Sequence, residues 1–240
     1  MRACRDIRRP TAAVEVTLVD VFADRERIPD HQAVVVQRGD AAVRRPARDV
    51  LLEVRLLLDT PEFQEVVARW APNRRVPALH DDGLVIWDSL AICEYVNERY
   101  LDGRGWPADV AARAHARSAA AEMHSGFMAL RKQLPMNMRR TPDNYRWDAE
   151  ADKDIARIQQ IWRELRSQHG HGGPFLCGRF SIVDAMYAPV VSRFTTYGVE
   201  MDDTARAFAD AIQSLDGWKA WRAAGDVETE YLEDTEKFRA

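Results

Sequence analysis

The stretch from Arg75 to Tyr100 sets the tightest limits on what this chain can fold into. Arg75-Val76-Pro77-Ala78-Leu79 is a short apolar run interrupted by a proline. Proline has no N–H to give to a strand ladder, so Pro77 belongs at a strand start, on an edge or in a turn. An X–Pro bond can also be cis at low cost. Asp82-Gly83 is a hairpin signal, and Leu84-Val85-Ile86 reads as the return strand. Asp88 and Ser89 are N-cap residue types, after which Leu90, Ile92, Cys93, Val96 and Tyr100 continue an apolar stripe at helical spacing. The start of such a helix presents unpaired N–H groups and the positive end of the helix dipole, which suits a bound carboxylate.

In this order, strand, hairpin, strand and capped helix with a proline at the mouth, the segment resembles the second half of the glutathione-binding domain of the glutathione transferase superfamily. That domain is thioredoxin-like. The resemblance implies a cis bond before Pro77, a Val76 backbone that pairs with the cysteinyl unit of glutathione, and an Asp88–Ser89 pair that holds its γ-glutamyl end. The family most often has Glu where this chain has Asp88; Asp is shorter and keeps the charge.

Beyond Trp106 the chain reads as helical. Pro107 is placed as a first helical residue. From Ala111 to Leu130 good helix formers dominate, and Met123, Phe127, Leu130 and Leu134 recur on one face. Pro135 and Thr141-Pro142-Asp143-Asn144 mark a connection. A second amphipathic segment runs from about Trp147 to His169 and stops at Gly170-His171-Gly172-Gly173-Pro174. Ser181 and Asp184 have capping-box spacing, with Phe180 placed to staple the entry. Gly178, Ser181 and Asp184 also match the folding signature that opens a buried helix in the helical domain of glutathione transferases, a structural role. Thr204 to Leu215 and Trp218 to Ala224 read as short helices, with Trp218 and Trp221 as packing anchors.

Composition narrows the function classes. Net charge is −4, pI is near 5.9 and no basic stripe exists, so nucleic acid is not an expected partner. The aliphatic runs are far too short for a membrane span, and no apolar core follows Arg2, Arg5, Arg8 and Arg9 to make a secretory signal. Cys4, Cys93 and Cys177 are widely spaced, which argues against a disulfide framework or a metal site and for a reducing, cytoplasmic setting. Cys93 falls on the apolar side of its helix, and Cys177 beside the capping box also reads as buried.

Residues 1–52 depart from the family pattern. In the superfamily a Ser, Tyr or Cys just after the first strand activates the glutathione thiol. The physical need is a donor or positive dipole near the sulfur, because only the thiolate is a good nucleophile. Residues 1–52 hold Thr11 and Thr17 but no Ser or Tyr, and Cys4 has no strand before it. Strand-like runs exist at Val14 to Val19 and Ala33 to Val36, but the Arg25 to Asp30 stretch between them is polar and broken by Pro29. The resemblance is therefore placed from Glu53 to about Trp221, with Glu53 to Leu58 as the family's second strand. A divergent N-terminus and a shifted reading frame or misplaced start are the alternative origins of residues 1–52; the abrupt onset favours the latter. The catalytic residue is unassigned, with Thr11, Thr17 and Cys4 as fallback candidates.

The expected fold is an α/β thioredoxin-like domain, complete or truncated, followed by an all-α helical-bundle domain. Its parts are an anomalous segment 1–52, the remaining glutathione-binding domain at 53–103, and a helical domain at 107–240. The expected function is glutathione transfer to a small apolar electrophile by a homodimer, with glutathione as co-substrate and Val76, Pro77, Asp88 and Ser89 as its contacts. Met123, His124, Phe127 and Arg131 are candidates for the electrophile pocket, because the family lines that pocket with the first long helix; a core stripe with a charged edge is the other reading. A non-catalytic binding or scaffold protein and a glutathione-dependent isomerase are the alternative functions.

Overall fold

The protein is described here by a computed structural model covering residues 32–38, 51–57, 61–81, 83–138 and 144–227. Four strands form one sheet: β1 (Gln32–Arg38), β2 (Leu51–Leu57), β3 (Ala78–Asp81) and β4 (Leu84–Trp87), in the order β2-β1-β3-β4. β1 pairs antiparallel with β2, with Gln32 opposite Leu57 and Arg38 opposite Leu51. It pairs parallel with β3, with Val35 opposite Ala78. β3 and β4 form the hairpin expected around Asp82-Gly83, with Ala78 opposite Trp87. Pro77 stands just before β3. That position leaves the ladders of this inner strand intact, which a proline within it would not.

Gln32–Arg38 is thus an inner strand of the sheet, although it lies in the segment that sequence reading sets apart. Its Ala33-Val34-Val35-Val36 run suits a strand flanked on both sides. The pairing also departs from a parallel strand-helix-strand unit, since β2 runs antiparallel to β1. Antiparallel neighbours need no helical crossover between them. Cys4, Thr11, Thr17, the Val14 to Val19 run, the Arg25 to Asp30 stretch and the polar tail from Glu228 lie outside the described residues.

Helix α1 (Pro61–Trp70), which the sequence reading did not assign, packs on β1 and β2. Helix α2 (Ser89–Tyr100) packs on β3 and β4. The buried Asp81 carboxylate accepts from Tyr95 Oη at 2.7 Å and from the Tyr100 hydroxyl, so the end of β3 is tied to the C-terminal half of α2. Burial, with Asp81 as neighbour, raises the pKa of the Tyr95 phenol.

The helical domain comprises α3 (Val110–Ser125), α4 (Met128–Gln133), α5 (Ala149–His169), α6 (Ile182–Tyr197), α7 (Asp203–Ser214) and α8 (Asp216–Asp226). Two expectations need correction here. Pro107 precedes the helix, and Asp109 caps it by accepting from Ala112 N–H at 2.8 Å. The stretch from Ala111 to Leu130 is not one helix: it breaks at Gly126-Phe127, where Phe127 takes a left-handed φ of 57°. Arg131 from α4 then donates to the carbonyls of Met123 and Gly126, which satisfies the last turn of α3.

Trp162 centres the core, with Tyr187, Phe194 and Phe208 rings packed around it at centroid distances of 5.7, 5.4 and 4.9 Å. Leu79 of β3 and Ile92, Cys93 and Val96 of α2 join the same apolar cluster, so the two domains share a core. Asn97 Oδ1 accepts from Gly105 N–H at 2.7 Å, and Glu94 takes Trp106 Nε1 at 3.1 Å and Arg117 Nε at 3.0 Å. These bonds hold α2 against the start of the helical domain. Among the described residues no helix is long and apolar enough to cross a membrane.

Candidate functional site

The site forms where the β3–β4 hairpin feeds α2 and where α3 of the helical domain passes its N-terminus. The Val76–Pro77 bond is cis. Asp88 caps α2: its Oδ1 accepts from Leu90 N–H at 2.9 Å and Ala91 N–H at 3.4 Å. Its backbone sits at φ 77°, ψ 131°, a conformation that a non-glycine residue adopts only when its surroundings enforce it. The cap bonds to Oδ1 are one constraint. The other comes from the helical domain, because His124 Nε2 lies 2.9 Å from Asp88 Oδ2. The same ring reaches Ser89, whose Oγ is 3.4 Å from His124 Nδ1.

One imidazole therefore spans a carboxylate and a hydroxyl that are neighbours in sequence, from 35 residues away. Ser89 is buried, whereas the Asp88 side chain keeps 42% of its exposure and His124 keeps 29%. This corner combines a half-open carboxylate, a partly open imidazole, a buried hydroxyl and the positive end of α2. Such a set can take up a zwitterionic amino-acid end, the ammonium on the carboxylate and the carboxylate on the hydroxyl and helix terminus.

The other residues singled out from sequence are distributed differently. Met123 and Phe127 are buried in the shared core. The Arg131 guanidinium lies on the Met123 and Gly126 carbonyls, with Met123 Sδ at 3.5 Å. Of that group His124 is brought to Asp88 and Ser89. Its proximity to them has no local signal, since it depends on how α3 packs beside α2. Ser181 and Asp184 open α6 as a capping box. Among the described residues no cluster of His, Cys, Asp and Glu could hold a metal ion. Cys177 is partly buried, and burial pushes its thiol pKa up to about 12, so it stays protonated at neutral pH.

Comparison with known proteins agrees with this layout. Residues 27–99 match the family described as glutathione S-transferase, N-terminal domain, and residues 146–224 match glutathione S-transferase, C-terminal domain. The first match starts upstream of Glu53 and takes in β1. Among solved structures, the fold is similar to a glutathione transferase homologue from Burkholderia gl BGR1 with bound glutathione, at 20% identity and a TM-score of 0.54 over 80% of this chain and 98% of that one. It is also similar to a theta class glutathione S-transferase from Xanthomonas axonopodis pv. citri with glutathione bound, at 19% identity and a TM-score of 0.50, covering 92% and 96% of the two chains. An epsilon-class glutathione S-transferase from the housefly Musca domestica aligns at 19% identity and a TM-score of 0.51, covering 71% and 77%. On these matches to both of its domains, the chain belongs to the glutathione transferase superfamily.

Proposed function

We propose that the protein binds glutathione at the mouth of α2 and uses it as co-substrate in a transferase reaction on a small apolar electrophile. The observation that carries this reading is the Asp88–Ser89 pair at the positive end of α2, one side chain half-open and the other buried. In this reading Asp88 takes the γ-glutamyl ammonium, Ser89 takes its carboxylate, and the Val76 backbone before cis-Pro77 pairs with the cysteinyl unit. The bacterial homologues with glutathione bound support it by likeness of fold and family. The electrophile would approach where α3 ends and α4 begins, the region of Met123, His124, Phe127 and Arg131.

One observation favours a second reading. The superfamily takes its thiol activator from just after the first strand, and the residues after β1, 39–50, contain no Ser, Thr, Tyr or Cys. A non-catalytic protein that binds glutathione or serves as a scaffold fits that sequence. Retention on immobilised glutathione tests the shared part of both readings. Turnover of a generic aryl halide separates them: retention with turnover supports the transferase, retention without it supports the binding protein, and no retention leaves only the scaffold. A homodimer with two-fold symmetry is the proposed assembly, and a monomeric mass by light scattering at micromolar concentration would contradict it.

A further inference from the structure

Arg193 lies on α6 and is 7% exposed. Its guanidinium donates once among the described residues, from Nη1 to the Pro189 carbonyl one turn back at 3.2 Å. Its Nε is buried and has no acceptor among them. An arginine keeps its charge in a protein, so burial cannot be relieved by loss of a proton. A buried charge is strongly unfavourable unless it is both paired and hydrogen-bonded. The carboxylates that reach the interior from neighbouring elements are engaged elsewhere. Asp184, at the other end of α6, accepts from Leu176 and Ser181. Glu122 of α3 pairs with Arg157 of α5 at 2.8 Å. Asp154 of α5 accepts from Leu130 N–H at 2.9 Å.

The surroundings of Arg193 are short of acceptors. Thr196 and Tyr197 follow it by three and four positions and share its side of the helix. Thr196 Oγ1 donates to the Asn137 carbonyl at 2.9 Å and Tyr197 Oη to the Pro135 carbonyl at 2.8 Å. This side of α6 is therefore turned toward the segment between α4 and α5, and two of its carbonyls are already taken. Met136, Asn137 and Met138 of that segment are buried. A second donor borders it from α8. Gly225 lies against Met138, and Trp221, one turn earlier on the same side of α8, is 2% exposed with its Nε1 unpartnered among the described residues.

We infer that Arg193 is a buried receptor for a small carboxylate, an anion of the size of formate that enters the helical domain and supplies the missing counter-charge. The bond from Nη1 to Pro189 leaves the opposite edge of the guanidinium, Nε–H with Nη2–H, for the ligand. That edge is a planar fork whose two N–H groups match the two oxygens of a carboxylate, and charge-assisted bonds of this kind are the strong ones. Burial restricts the ligand to a few heavy atoms. No covalent bond changes. The site is built on α6, away from the elements that hold Asp88 and Ser89, so it stands whether or not glutathione docks there.

The test uses the whole chain, dialysed into chloride, with formate as the probe and chloride at equal ionic strength as the reference. An anion that binds the folded protein and not the unfolded chain raises its stability in a saturable way. The wild-type denaturation midpoint is expected to rise by about 2–4 °C in excess formate over chloride and to level off with concentration. Arg193→Met keeps the apolar stem and removes both charge and fork, so its midpoint should be the same in the two salts. Arg193→Lys keeps the charge without the planar fork, and its preference for formate over chloride should be lost. This second variant keeps the test decisive if the methionine variant does not fold. Carbon-13 magnetic resonance of labelled formate should show line broadening with the wild type and none with the variant. Equal wild-type midpoints in the two salts overturn the inference, because the charge is then met within the chain. A rise that the variants share overturns it as well, because that is a general effect of the salt.

Discussion

Asp88 and Asp184 each stand with a serine at the start of a helix, and the fold uses them in opposite ways. Asp184 is fully buried. Its Oδ2 accepts from Ser181 N–H at 2.8 Å and Ser181 O–H at 2.9 Å, and its Oδ1 accepts from Leu176 N–H at 2.8 Å. Both oxygens are occupied within one loop and the helix it enters. Asp88 is 42% exposed, sits at a left-handed φ, and divides its oxygens between its own helix cap and an imidazole from the other domain. A saturated, buried carboxylate fixes a chain path. A half-open one on a strained residue, reaching across a domain border, keeps capacity for something not yet bound.

The strongest way to break this contrast is to remove Asp184. Asp184→Ala leaves the Leu176 and Ser181 N–H groups buried without an acceptor, at about 1–3 kcal/mol each. Urea denaturation should show a loss of about 2–6 kcal/mol, while the molecules that remain folded bind glutathione as before. The same carboxyl should leave a mark on the pH profile. Burial pushes its pKa up from 3.8 to about 7, against the hydrogen bonds that pull it down. Between those values the folded state holds a proton that the unfolded chain has released. This group's contribution to stability therefore falls as pH rises through that window and levels off above it. Asp184→Asn should flatten that part of the profile. A slope that persists unchanged would assign it to another group.

Asp88 should show the reverse balance. Asp88→Ala is expected to weaken glutathione binding by about 1.5–3 kcal/mol, the worth of a charge-assisted hydrogen bond, while the lost cap costs folding only about 1 kcal/mol. Ser89→Ala should weaken binding by a similar amount. Asp88→Gly sharpens the point, because glycine accepts φ 77° without strain. Relief of strain should offset much of the lost cap, leaving a protein about as stable as wild type that has still lost affinity. Calorimetry and thermal denaturation on the three variants give both numbers. Unchanged affinity in all of them would make Asp88 another structural acid and erase the contrast.

How much of this was legible in the sequence follows from the range of the interactions. The hairpin at Asp82-Gly83, the cap at Asp88 and the capping box at Ser181 and Asp184 are written within a few residues, and each forms where the spacing predicts. The break at Gly126-Phe127 leaves no mark on the pattern, because Met123, Phe127 and Leu130 keep a helical period across it and periodicity does not register a single left-handed residue. The inner strand Gln32–Arg38 reads as strand-like, but no clean amphipathic helix precedes it as the family pattern requires; the sheet pairs it antiparallel with Leu51–Leu57, which needs no helical crossover. The bridge from His124 to Asp88 and Ser89 has no local trace. It exists because Leu79, Ile92, Cys93 and Val96 share a core with the helical domain and so fix α3 beside α2.

The smallest expected effect is at Ser181, and it separates two accounts of the buried box. Ser181→Ala should cost about 1 kcal/mol, the usual worth of an N-cap side chain, with no change in glutathione affinity. Its backbone N–H still reaches Asp184 Oδ2, so the variant loses the hydroxyl and keeps the rest. That loss can arise from the cap or from the bond that the hydroxyl gives to the buried carboxylate. Glycine distinguishes them. At an ordinary N-cap, replacing serine by glycine costs only a few tenths of a kcal/mol, since glycine suits the cap backbone and lets water reach the open N–H groups. Here Ser181 is 3% exposed and water has little access. If the bond to Asp184 carries the effect, Ser181→Gly should cost as much as Ser181→Ala, about 1 kcal/mol or slightly more. Equal denaturation midpoints for Ser181→Gly and wild type would show instead that the hydroxyl serves the helix alone, and that Asp184 is held by the backbone donors of Leu176 and Ser181.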